Sequence, residues 1–270
     1  MKNLFSVQDK VIVITGAAGV LGTSMVHHFA EQGAKVVILD RNEEAGRRLE
    51  EEVKAEGGKV MFLYTDVLDK QVLEGNYTEI MARYGRIDVL INGAGGNMAG
   101  ATIAPDKTIF DLDIEAVRKV VDLNLFGIIL PTMTFTRAMI EQKQGSIINI
   151  SSESAIRPLT RVAGYGVAKA AVTNFTKYMC GELATKYGDG LRVNAIAPGF
   201  FITEQNRPLL LNPDGSYTER SKTILAHTPY GRFGEPSELL GTLQWLASDA
   251  SKFVSGTMTV IDGGFDAFSI

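Results

Sequence analysis

Val11-Ile12-Val13-Ile14-Thr15-Gly16-Ala17-Ala18-Gly19-Val20-Leu21-Gly22 runs from a β-branched strand through a glycine-rich turn into an apolar helical start. Such a junction points the free amides and the positive dipole end of a helix at the turn, where glycines let a pyrophosphate approach the backbone. Gly16, Ala18, Gly19, Val20, Leu21 and Gly22 are therefore candidate phosphate-binding positions. Asp40 closes the next β-branched run, 18 residues beyond Gly22. A carboxylate there can hold an adenosine ribose diol and repels a 2′-phosphate, so NAD is the preferred cofactor. Arg41 argues for NADP, because a guanidinium beside the ribose can pair with that phosphate.

Further out, Lys35–Asp40, Val60–Tyr64, Val89–Asn92, Ser146–Ser151, Arg192–Ala197 and Thr257–Asp262 join Val11–Thr15 as seven predicted strands separated by helical patterns. The strands are almost continuously apolar, as expected when helices cover both faces of a parallel sheet. The reading is an α/β fold, a single-domain doubly wound Rossmann sheet of seven parallel strands spanning residues 1–270. Asp66-Val67 ends the third strand and Asn92-Gly93-Ala94-Gly95 the fourth, so successive carboxyl ends converge on one crevice. Asp66 either accepts a hydrogen bond from an adenine amino group or caps the next helix. The charged segment from Glu43 to Glu56, stopped by Gly57-Gly58, reads as a surface helix. Between about residues 204 and 235 the pattern loosens around Pro208, Pro213 and Pro229, which fits a substrate lid as well as an ordinary long loop.

With 270 residues, 45% of them hydrophobic, the chain can bury a large core. Twenty-seven basic against 31 acidic residues leave a net charge of −4, and no basic run would track a nucleic-acid backbone. The polar segment Met1–Lys10 and the short apolar run after it suit neither a signal sequence nor a membrane span, so a soluble cytoplasmic protein is expected. Cys180 stands alone, which precludes an intrachain disulfide and fits a reducing compartment. His27, His28 and His227 are the only histidines, so a catalytic zinc lacks its usual ligands and no metal is expected.

Of eight tyrosines, only Tyr165 has a lysine four residues later, in Tyr165-Gly166-Val167-Ala168-Lys169. A helix places that phenol and ammonium on one face, and a nearby cation lowers a phenol's pKa by roughly 1–3 units toward neutral pH. The pair can serve as an acid/base. Arg157 and Arg161 lie between Ser152 and Tyr165, and Arg207 stands in Glu204-Gln205-Asn206-Arg207; taken singly each reads as a surface residue or a subunit salt-bridge partner, and only as a cluster do they fit an anionic substrate. Asn97 and Gln205-Asn206 suit its hydroxyl groups.

The set from Thr15–Gly22 through Asn92–Gly95 to Tyr165–Lys169 and Pro198-Gly199 resembles the short-chain dehydrogenase/reductase family over essentially the whole chain. The resemblance implies that Ser152, thirteen residues before Tyr165, orients the substrate oxygen and that Ser151 is a strand-end neighbour. It implies that Asn124, in Asp122-Leu123-Asn124-Leu125, positions water for a proton relay through Lys169, and that Thr203 contacts the nicotinamide side of the cofactor. Two departures stand out: Gly19 comes one place early, and Gly93 replaces the usual second Asn of Asn-Asn-Ala-Gly.

The phrases at 157–162, 198–207, 228–236 and 262–265 are similar to the family's mannonate oxidoreductase (fructuronate reductase) branch. That implies a sugar-acid substrate, D-mannonate or D-fructuronate, with gluconate 5-dehydrogenases and 3-oxoacyl reductases sharing most of the framework. Resemblance to the family also implies a homotetramer; the apolar segments Ala168–Met179 and Phe265–Ile270 serve equally as interface material or as core packing. Rivals from other classes are a cofactor-binding regulator without chemistry, and a dehydratase or epimerase retaining its nicotinamide.

Overall fold

A computed structural model describes residues 3–203 and 206–267 of the chain. Its sheet consists of β1 (Val11–Thr15), β2 (Lys35–Asp40), β3 (Lys59–Tyr64), β4 (Val89–Asn92), β5 (Gly145–Ile150), β6 (Leu191–Pro198) and β7 (Met258–Ile261). All neighbours are parallel, in the order β3-β2-β1-β4-β5-β6-β7. The order reverses between β1 and β4, where Thr15 pairs with Asn92. Ligands bind open α/β sheets outside the carboxyl ends of strands at such a switch point.

Side chains alternate across a strand, so consecutive apolar residues feed two cores. Ile12 and Ile14 of β1 join Phe29 of α1 (Val20–Glu31) and Leu243 and Leu246 of a later helix, Leu240–Ala247. Val11 and Val13 join Leu73 of Lys70–Tyr84, Phe135 and Met139 of Gly127–Gln142, and Leu183 of Ala163–Tyr187 on the other face. In chain order after α1 the helices are α2 (Glu43–Ala55), α3 (Lys70–Tyr84), α4 (Ile114–Val121), α5 (Gly127–Gln142), α6 (Ala163–Tyr187), α7 (Arg207–Leu210), α8 (Glu219–Ala226) and α9 (Leu240–Ala247). The doubly wound architecture read from the apolar strands is thus the one observed, with β1, β2 and β4 matching at both ends and no other strand end shifted by more than one residue.

The charged helix starts where expected. Asn42 Oδ1 accepts from Ala45 N at 3.1 Å, satisfying one of the free amides of α2, and Glu43 pairs with Arg47 one turn on. Between α4 and α5 the chain makes a π-helical turn, Asp122–Phe126, which carries Asn124; such turns break the regular ladder and occur often at functional sites.

The segment after β6 forms a small body of its own. Leu210, Ile224 and Phe233 pack together with Phe200, Ile202 and Leu225, apart from the two sheet cores. Glu204 and Gln205, part of the segment read as a lid and of the hydroxyl-binding pair, lie outside the described residues, as do Phe268–Ile270 of the proposed interface.

Candidate active site

A cavity of about 700 Å³ opens at the switch point and runs from the Gly16–Gly22 turn to Tyr165 and Lys169. At its cofactor end, Gly16 has φ +67°, and a Cβ there would lie 2.8 Å from Ala94 Cα. A Cβ on Gly22 would lie 2.4 Å from Gly16 O, so both positions require glycine. Gly19 plays a different part: it is the extended N-cap of α1, with no side chain closing the helix end, which leaves the amides of the first turn facing the cavity. Its early position is accommodated because its amide donates to Gly16 O at 3.3 Å.

Thr15 Oγ1 accepts from Gly93 N and Ala94 N, at 3.1 and 3.2 Å, and thereby draws the β4 turn over the end of β1. A Cβ at 93 would sit 2.8 Å from Thr15 O, so glycine in place of the family's Asn fits this close approach. Asp40 is held from both sides, Oδ2 accepting from Ala18 N and Oδ1 from Asn42 N, each at 2.9 Å. Asp40, Arg41, Asp66 and Val67 all line the cavity. Of the two readings of Asp66, helix capping is excluded: Asp69 caps α3, while Asp66 Oδ1 accepts from Leu68 N at 2.9 Å. Asn92 does not reach the cavity. It is fully buried, its Nδ2 donating to Thr132 Oγ1 and Asn149 Oδ1, and it ties β4 to β5 and α5.

At the other end α6 turns Tyr165 and Lys169 to the cavity, as the four-residue spacing requires. Lys169 is buried; its Nζ donates to Ile150 O at 2.8 Å and lies 5.6 Å from the centre of the Tyr165 ring. Burial pushes the Lys169 ammonium down to about 8. Burial also pushes the Tyr165 phenol up, and the neighbouring Ser152 hydroxyl opposes that rise. The expected lowering of Tyr165 by Lys169 is therefore not what the protein alone provides, because desolvation dominates and the ammonium is turned to a carbonyl. Ser152 Oγ accepts from Ser154 N and Ser154 Oγ at 3.2 and 3.0 Å, which fixes its rotamer. Ser151, the strand-end neighbour, bonds Thr173 Oγ1 at 2.9 Å and fastens α6 to β5.

Asn124 departs from its implied role. Its Oδ1 accepts from Gly96 N at 3.0 Å and its Nδ2 donates to Gly96 O and Val120 O at 2.6 and 2.8 Å, so the side chain braces the β4 turn instead of facing the cavity. Gly95 makes that brace possible, since a Cβ there would lie 2.7 Å from Asn124 Oδ1 and 3.2 Å from Lys169 Nζ. Pro198 at the end of β6, and Gly199 and Thr203 just beyond it, line the cavity.

None of the four predicted substrate residues lines the cavity. Arg157 is drawn away by Asp266, with Nε donating to Oδ1 at 2.8 Å. Asn97 donates to Thr102 Oγ1 at 2.9 Å and serves its own turn. Arg207 is exposed at the start of α7. Arg161 adopts φ +76°, its carbonyl accepting from Ile103 N at 3.0 Å, and it lies near Arg220 of α8. Asn206, one of the pair read as suiting hydroxyl groups, does line the cavity, its Oδ1 accepting from Thr203 N at 2.8 Å, whereas sequence reasoning missed the wall formed by Lys119, Asp122 and Leu123. Only the adjacency of Asp122-Leu123 to Asn124 signalled that wall.

The glycine-shaped cradle, the uncapped helix end and the ribose-side carboxylate fit a dinucleotide, and the far end offers a phenol, a hydroxyl and a buried ammonium around one point. This is the site of a nicotinamide-dependent oxidoreductase acting on alcohol groups. The chain belongs to the short chain dehydrogenase family, whose profile matches residues 10–213. It is 43% identical to the uncharacterized oxidoreductase UxuB of Bacillus subtilis (strain 168), over 96% of both chains. A crystal structure from Haemophilus influenzae with bound NAD, provisionally named a D-mannonate oxidoreductase, is 40% identical with a TM-score of 0.91, covering 99% of each chain. A gluconate 5-dehydrogenase from Burkholderia cenocepacia J2315, in complex with NADP and tartrate, is 33% identical with a TM-score of 0.88, covering 98% of each.

Proposed function

We propose that the protein interconverts the alcohol and ketone forms of a sugar acid, D-mannonate and D-fructuronate first among them, using NAD. The observation that carries the substrate class is the Arg161–Arg220 pair. Arg220 reaches from α8 to donate to Thr160 Oγ1 at 3.0 Å. Burial and the charge of Arg161 both push its guanidinium below the usual range. Among the described residues no carboxylate pairs with either arginine. Two cations held together on the Ser152–Tyr165 loop and the segment facing it favour an anion between them, and a substrate carboxylate would draw α8 inward. This supports a lid function for residues 204–235. NAD over NADP rests on Asp40, whose carboxylate repels a 2′-phosphate; Arg41 is the residue through which NADP would be tolerated.

In this reading the nicotinamide supplies hydride transfer at C4. Tyr165 takes the substrate hydroxyl proton in oxidation and returns it in reduction. Ser152, its rotamer fixed by Ser154, donates to the reacting oxygen as negative charge develops there. Lys169 contributes the positive charge that offsets the burial of the phenolate. Asn124 acts at one remove, by holding the Gly95-Gly96 turn.

The test is reduced-nicotinamide absorbance with D-mannonate and D-gluconate, each with NAD and NADP. Fast NAD-dependent reduction on mannonate supports the proposal. Activity on gluconate alone moves the assignment to the second reading, favoured by the likeness to a gluconate 5-dehydrogenase. Silence on both removes the sugar-acid class. The exposed Ile109, Phe110, Ile114, Met133 and Val167, near or on α4–α6, further support a homotetramer; light scattering after size exclusion checks it, and a monomer refutes it.

A further inference from the structure

Glu153 follows Ser152 directly and opens the 3₁₀ turn Glu153–Ala155, which packs against α6. It is 1% exposed, and neither carboxyl oxygen has a hydrogen-bond partner among the described residues. Three charges act on it: Asp266 and Asp262 of the loop after β7, and Arg157 of its own turn. α6 carries Tyr165 and Lys169, neither of which contributes to the field at Glu153, and β6 brings no charge to it. The two aspartates are already satisfied as carboxylates. Asp262 accepts from Gly264 N and Asp266 N at 2.8 and 2.6 Å, and Asp266 accepts from Arg157 Nε at 2.8 Å. The one cation of the cluster is thus committed to Asp266. Glu153 is the third acid, without a donor, and a buried group in that position takes a proton. The three carboxylates do not form a metal site: no group of side chains placed to hold a metal ion occurs among the described residues.

The loop that faces Glu153 also supports the cavity. A Cβ on Gly199 would lie 2.6 Å from Asp262 Cβ, so Asp262 backs the Pro198-Gly199 wall directly. Phe265 meets Phe200 edge to face at 5.2 Å, and Tyr230 N donates to Gly263 O at 3.2 Å, joining the loop to the segment after α8. We propose that Glu153 is a positioning residue whose proton holds the Ser152 turn against the Asp262–Asp266 loop, so that losing this one proton misplaces Ser152 and the Pro198-Gly199 wall together.

Burial, then Asp266 and Asp262, push Glu153 up to about 7. A carboxyl raised in the folded state contributes stability at pH below its ordinary value, and that contribution is lost as pH rises through about 7. The experiment follows thermal stability and the dissociation constant of NADH across about pH 5–9. In the wild type both are expected to worsen together on passing from about pH 6 to about pH 8, NADH binding by several-fold. Glu153→Gln, neutral at every pH, should keep the wild-type values of about pH 6 throughout. Asp266→Asn removes one negative charge and frees Arg157, so its transition should move to lower pH. An unchanged profile in E153Q, or an unmoved midpoint in D266N, overturns the proposal. If E153Q does not fold, infrared difference spectra of the wild type decide: a protonated-carboxyl band lost over the same interval supports it, and its absence refutes it. None of these readouts needs a substrate, so they are independent of the sugar-acid assignment.

Discussion

The two walls of the cavity are built from different material. The cofactor wall is mostly backbone: the uncapped start of α1, the Gly16–Gly22 turn, and a β4 turn pulled down by Thr15 and braced by Asn124. The other wall is bordered by loops whose long side chains stay out of the cavity lining and have found partners elsewhere, Asp266 for Arg157 and Thr160 for Arg220. This backbone wall has no room for an added atom at Gly16, Gly22, Gly93 or Gly95, but it leaves the reacting groups in place when a distant side chain changes. Side-chain walls can be rewired by one substitution, which is how one family serves many substrates on a common cofactor site.

The sharpest test of this division removes the group that both walls share. Tyr165→Phe should lower kcat by about 10²–10⁴-fold, the usual contribution of a positioned acid/base, while NADH still binds with its wild-type dissociation constant. Near-normal turnover would show that the phenol is not the acid/base. Next in size is the proposed carboxylate clamp. Arg161→Ala or Arg220→Ala should raise KM for the anionic substrate by roughly 10–100-fold, the loss of a charge-assisted hydrogen bond. NADH affinity should not move, and if it does the two walls are not separable at this point. Smaller again is Gly95→Ala on the backbone wall. The methyl group must displace Asn124 Oδ1, which lies 2.7 Å from it, and about 1–3 kcal/mol of packing strain should weaken NADH roughly tenfold or more.

The same division decides how much was legible in the sequence. Gly16, Gly22 and Asp40 could be placed because their requirement is local: a turn between a strand and a helix admits few residues, and the apolar runs on either side fix where the turn lies. Tyr165 and Lys169 were legible for the same reason, since four residues on a helix is a geometry by itself. Asn92 failed because a polar residue at a strand end serves equally as a ligand contact or as a buried cross-strand tie, and here Asn149 and Thr132 claimed it. Arg157 failed because its partner stands 109 residues later, in a loop whose return to the Ser152 turn no local pattern announces. Arg220 was invisible for the converse reason, as a charged residue on a short helix that only the fold brings beside Arg161.

Arg157 also supplies the finest discrimination between the walls. It stands four residues before Arg161 and has the same chemistry, yet its guanidinium is 40% exposed and paired with Asp266. A half-exposed pair is screened by solvent, so Arg157→Ala should cost only about 0–1 kcal/mol, a few degrees or less in Tm. KM for the anionic substrate should stay unchanged, in contrast to Arg161→Ala. One consequence should still be measurable: without Arg157, Glu153 faces Asp262 and Asp266 with no cation nearby, so the pH at which stability and NADH affinity decline should move upward, opposite in sign to D266N. A rise in KM without that displacement would instead place Arg157 on the substrate, and the partner seen in the folded chain would then be one that the arginine exchanges for the ligand.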